Sequence, residues 1–164
     1  MVKKEKGVTL VTLVITIILL GILAGVSANT GYSVIKDMRI GRIIANMTLV
    51  RAKVETIYEQ YQFSEEEEDL VGTKVTEIGF LSEEEKKLIE EKVGNTEFAN
   101  LVWYEWNASD LRSQGLDVNL LGNDEKFYIN YENSEIIYSK GTAYRTKIKY
   151  YSMTGLNYIY INNQ

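Results

Sequence analysis

The 164-residue chain is predicted to be an α+β protein with one long N-terminal helix packed on a C-terminal antiparallel sheet. Three observations predict this. Residues 8–28 carry no charge. Beyond them, apolar residues recur at intervals of three and four as far as Tyr61. From Phe98 onward the period shortens to alternation.

The first element begins with a basic leader, Lys3-Lys4-Glu5-Lys6-Gly7. Behind it runs VTLVTLVITIILLGILAGVSA, whose polar members are Thr9, Thr12, Thr16 and Ser27. At ~1.5 Å rise per residue, a helix of that length matches the ~30 Å hydrocarbon core of a bilayer. Lipid offers the backbone no hydrogen-bond partner, so even β-branched residues are driven into helix there. A membrane helix over residues 8–28 is therefore expected.

The residues at the junction carry a resemblance. Lys6, Gly7, Val8, Thr9, Leu10 and Val11 stand in the order basic residue, glycine, large apolar residue, Thr or Ser, Leu, aliphatic. In this the chain resembles the type IV pilin and pseudopilin family. The resemblance implies a pilin-like fold and cleavage by prepilin peptidase between Gly7 and Val8, with methylation of the new Val8 amine. It places Thr9, Leu10, Thr12 and Gly21 on the assembly helix, Gly21 falling where many pilins carry a helix-weakening glycine. Thr12 departs from the family, whose fifth mature residue is usually Glu, thought to neutralise a neighbouring subunit's amine. A carboxylate at membrane depth costs ~2.5–3.5 kcal/mol or more unless paired, whereas a threonine hydroxyl bonds back to its own helix. Thr12 inserts easily and cannot neutralise an amine. The resemblance thus implies a minor or tip-type subunit of a type IV pilus or type II secretion-like pseudopilus. Its partners would be prepilin peptidase, other pilin or pseudopilin subunits and the cytoplasmic membrane. The chain would be single-pass with its C-terminal domain outside, and part of a cell-surface filament after assembly.

Two other readings share the same hydropathy. Val26-Ser27-Ala28 satisfies the small-x-small rule for signal peptidase, which would make Asn29 the first mature residue. An uncleaved anchor is the other, giving a single-span or secreted surface-binding protein that does not polymerise. Flanking charge does not separate them, because Lys3, Lys4 and Lys6 precede the run while Lys36, Arg39 and Arg42 follow it.

After Ala28 the helical period continues through Ile35, Met38, Ile40, Ile43, Ile44, Met47, Val50, Val54, Ile57, Tyr58 and Tyr61. These positions form one stripe, which predicts an amphipathic continuation over 29–63 with a soft point at Gly31. The expected organisation is a leader at 1–7, a span or filament-core helix at 8–28, this continuation at 29–63 and a globular domain at 64–164.

Within that domain, the acidic run Glu65 to Asp69 reads as a solvated loop and Val71 to Phe80 as a connector. Ser82 and Glu85 have the spacing of a capping box, Leu81, Leu88, Ile89 and Val93 supply an apolar face, and Gly94 suits a left-handed C-terminal position. Strands are expected at Leu101–Trp106, Phe127–Tyr131, Glu135–Tyr138, Tyr144–Tyr151 and Leu156–Ile161, with turns at Glu132-Asn133-Ser134 and Met153-Thr154-Gly155. The sheet would hold three to five strands. Nine of the twelve tyrosines lie from Tyr104 onward, where they suit half-buried strands better than an adhesive surface.

Composition narrows the function. There are 18 basic and 23 acidic residues, and loss of residues 1–7 would leave 15 against 22. So acidic a chain is not expected to bind nucleic acid. With no cysteine and no histidine, it lacks disulfides and the commonest catalytic and metal-binding side chains, and neither enzymatic activity nor a cofactor is expected. Asp117-Val118-Asn119 opens like an EF-hand loop, but Leu121 and Tyr128 occupy ligand positions. Some pseudopilins bind calcium in a loop before the last strands, and by that likeness Asp117, Asn119, Asn123 and Asp124 are calcium candidates.

Overall fold

The computed structural model describes residues 5–94, 96–117, 124–143 and 147–162, with side chains excepted at 5–12 and 21–37. Helix α1 runs Glu5–Ser64. The chain divides into two units, Met1–Arg39 and Ile40–Gln164.

In the first unit, Leu13, Val14, Ile15, Ile17, Ile18, Leu19 and Leu20 are all exposed, Leu13 at 61% and Ile17 at 60%. Among the described residues no helix is long and apolar enough to cross a membrane. The remainder of the uncharged run, residues 8–12 and 21–28, lies outside the described side chains.

The second unit is α+β. Its five strands are β1 (Thr73–Val75), β2 (Trp103–Trp106), β3 (Phe127–Asn130), β4 (Glu135–Thr142) and β5 (Tyr150–Ser152). They lie side by side in chain order and every neighbouring pair is antiparallel. Register follows side-chain alternation, pairing Tyr104 with Ile129 and Ile129 with Ile136. Those residues, with Trp106, Phe127 and Tyr150, face one hydrophobic cluster, into which α1 sends Ile40, Met47, Val50, Val54 and Ile57. The stripe read from the sequence is thus the buried face from Ile40 onward. Trp103 and Ile137, one residue out of phase, join a second cluster with Ile78, Leu81, Ile89, Phe98 and Leu101. Both faces of the sheet are therefore covered.

Three shorter helices complete the unit: α2 (Glu83–Val93), α3 (Ala108–Ser113) and α4 (Met153–Asn162). The last two correct the sequence reading. Leu156–Ile161 is not a strand, and Met153-Thr154-Gly155 is a helix start, not a turn. Its tyrosines and isoleucines favour strand locally, but Met153, Leu156 and Ile159 are buried at helical spacing in the first cluster. Tertiary packing overrides propensity there. Helix α3 sits in the Gly-, Asn- and Asp-rich stretch between β2 and β3, where no element is expected from the sequence, yet it carries a start signal. The Asn107 side chain accepts from Ser109 N and Asp110 N, and the Asp110 carboxylate accepts from Asn107 N, a closed capping box.

Smaller corrections concern the edges. The connector at 71–80 contains β1, and β2 excludes Leu101 and Val102. Residues 144–146 lie outside the described residues, Lys147–Lys149 form no strand, and β5 begins only at Tyr150. The acidic run holds a short 3-10 turn at Glu67–Asp69. Gly94 has φ 76 and ψ 144, a positive-φ conformation open essentially to glycine alone, and does not take the left-handed helical one.

Candidate functional site

Two places in the second unit assemble polar or aromatic groups that the sheet does not use for pairing. The first is a cleft of about 280 Å³ where the end of α1, the acidic run and the β1 edge meet. Tyr58, Tyr61, Tyr104 and Tyr131 wall it, with Leu70 and Val102, and Glu67, Lys74 and Glu132 add charge. The rings support one another. Tyr58 stacks on Tyr61 at 6.0 Å and on Tyr131 at 6.5 Å, and Tyr131 meets Tyr104 edge-on at 5.1 Å, all within the usual range for aromatic pairs.

The cleft's position is set by Val71. Its carbonyl accepts from Trp106 Nε1 at 2.7 Å and from the Tyr131 hydroxyl at 2.8 Å, and its N–H donates to that hydroxyl at 3.0 Å. Burial pushes the Tyr131 phenol far above its ordinary range, so it remains a neutral donor. Gly72 follows with φ +99, and a Cβ there would come within 2.5 Å of Trp106 Cδ1 and 2.7 Å of Glu105 O. Only glycine fits that close approach. The Tyr104 phenol is also held above its usual range, first by burial and then by the negative charge of Glu67.

The second place is the start of α4. Glu85, fully buried, turns its Oε1 to Tyr151 N at 2.7 Å and to Ser152 Oγ at 2.6 Å, and also accepts from Ser152 N. Glu135, also fully buried, accepts from Thr154 N at 2.8 Å and Thr154 Oγ1 at 2.6 Å, and pairs with Lys92 at 2.6 Å. Glu135 thus satisfies a first-turn N–H of α4, while Glu85 holds the last two N–H groups of β5 just before it. Gly155 lets Glu85 approach, since a Cβ there would lie 2.9 Å from Glu85 Oε1. Glu85 had been expected to close the capping box on Ser82. Ser82 does accept from Glu85 N at 3.2 Å, but the carboxylate is spent 66 and 67 residues away. Desolvation raises its pKa, more than the three bonds lower it, and the charge of Glu135 raises it further.

The residues singled out on the sequence fare differently. Gly7, Val8, Thr9, Leu10, Thr12 and Gly21 fall on the helical run of α1, with their side chains outside the described residues. Asn119 and Asn123 also lie outside them, while Asp117 and Asp124 are exposed. Among the described residues, no group of three or more acidic side chains is placed to hold a metal ion. Neither Glu85, Glu135 nor the cleft was read as a site from the sequence. Comparison with known protein families, curated proteins and solved structures finds no match to this chain.

Proposed function

We propose that the chain is a pilin-like or pseudopilin-like subunit, minor or tip-type, that assembles through its N-terminal helix. The observation carrying this is the exposed apolar row of α1 from Leu13 to Leu20, which begins three residues after the Lys6-Gly7-Val8-Thr9-Leu10 segment. Seven large aliphatic side chains around a helix have no use in water. Lipid covers them before assembly, and neighbouring helices cover them afterwards, so that polymerisation exchanges lipid contact for protein contact. The α+β unit that follows, with Ile40 to Ile57 of α1 in its core, is the part carried to the outside.

The reading implies removal of residues 1–7. Mass spectrometry of the chain isolated from cells with and without prepilin peptidase tests it. A protein beginning at methylated Val8 only when the peptidase is present is the expected result. A start at Asn29 would instead indicate a secreted surface protein, and an intact leader in peptidase-positive cells a plain anchor; either result removes the filament reading.

A further inference from the structure

We propose that the tyrosine cleft is a receptor for a trimethylammonium group of the choline type, with the ligand's own anion met by Lys74. The inference concerns the second unit alone and stands whether or not the N-terminal helix polymerises. A ring face carries negative electrostatic potential, and a hollow walled by four tyrosines and two carboxylates favours a cation whose charge is spread over methyl groups. Tyr58, Tyr61 and Tyr104 are each only partly buried, so their rings remain available to such a guest. Tyr131 contributes only its ring, because its hydroxyl is committed to Val71. Glu67 and Glu132 add two carboxylates to the lining, against the single ammonium of Lys74. Their negative field is felt inside the cleft, where both raise the pKa of Tyr104 after burial has done so.

The charge arrangement argues for a zwitterion. A compact hydrated cation gains little from ring faces, while a neutral apolar guest leaves two carboxylates and an ammonium unused. A trimethylammonium head with a tethered phosphate uses all of them. The cleft's volume of about 280 Å³ accommodates a guest of that size.

The test uses the full chain in a neutral maltoside detergent, titrated calorimetrically with choline, phosphocholine, glycerophosphocholine and 3,3-dimethyl-1-butanol, the uncharged isostere of choline. Choline is expected to bind about tenfold or more tighter than the isostere. Phosphocholine should exceed choline several-fold in the parent protein and equal it in Lys74→Ala. Tyr104→Phe, which keeps the ring, should retain binding, and Tyr104→Ala should weaken it about fivefold or more. The tighter of phosphocholine and glycerophosphocholine identifies the source as a free monoester or a lipid-type headgroup. Equal binding of choline and its isostere overturns the proposal, as does the absence of saturable choline binding. Loss of binding in Tyr104→Phe also overturns it, since the hydroxyl would then be the recognition element. Thermal unfolding of each variant shows whether a weakened response reflects the cleft or the fold.

Discussion

Glu85 illustrates how one side chain can serve two elements at opposing electrostatic cost. Its backbone N–H is capped by Ser82 while its carboxylate receives three donors from Tyr151 and Ser152. Yet its second oxygen, Oε2, is buried without a hydrogen bond among the described residues, and desolvation wins. The folded state therefore holds this proton more tightly than the unfolded chain, whose ordinary value is about 4.5. Stability from this group is greatest below that value and declines as pH rises through the raised folded pKa. Glu85→Gln keeps an acceptor for the three donors and removes the titration. Melting curves of parent and variant from pH 4.5 to neutrality should converge at the acid end and favour the variant toward neutral pH. A difference between the two that does not change with pH would sink this account. Sequence spacing placed Glu85 in a helix-capping role, which is half true. That a first-turn residue of α2 would be drawn to a strand more than sixty positions later is a tertiary event with no local signal.

At the scale of elements, patterns that report on burial were legible and patterns that report on propensity were not. The 3–4 spacing from Ile40 to Ile57 names the buried face of α1, and the Phe127–Asn130 and Glu135–Thr142 pair forms where alternation placed a hairpin. Its turn is held by side chains that sequence alone marks only as turn formers: Asn133 N donates to Asn130 Oδ1, and Glu135 N to Asn133 Oδ1. Helix α4 was misread because its tyrosine and isoleucine content outweighed a helical spacing only three contacts long. Beside its buried face, its start is held by a carboxylate. Replacing Glu135 with alanine removes the acceptor for Thr154 N, Thr154 Oγ1 and Lys92 together. Lys92 is a third exposed and finds water again, so the loss falls mainly on the helix end. A destabilisation of about 1.5–3 kcal/mol is expected from charge-assisted bonds of this kind, measurable as a lower urea midpoint. A midpoint unchanged within error would show that α4 is held by its apolar face alone. The cleft is equally hidden in the sequence: its tyrosines read as packing residues, and only the fold shows that Tyr131 is buried while Tyr58, Tyr61 and Tyr104 are half-buried around one hollow.

At the scale of the whole molecule, an acidic chain of net charge −5 carries a row of bare aliphatic side chains, and the two properties pull toward different solvents. The proposed subunit role resolves them by giving each its own surroundings. Leu13 and Ile17 are four residues apart on one side of α1. Changing both to aspartate adds two charges at a cost of ~2.5–3.5 kcal/mol each in a bilayer interior. The doubly substituted chain should move from the membrane pellet to the soluble fraction while its melting temperature for the α+β unit stays as before. If it sediments with membranes like the parent, that row is not what holds the chain there.

The grip on α4 also has a bearing on how this polypeptide is born. Glu85 and Glu135 are shielded from water in the company of donors that emerge from the ribosome well after them. A chain ending at β4 lacks Tyr151, Ser152 and Thr154, which leaves the Glu85 carboxylate without its three donors and Glu135 with Lys92 alone. A chain cut before Tyr150 is therefore expected to lose more stability than the apolar contacts of β5 and α4 supply, because it leaves buried acceptors without donors.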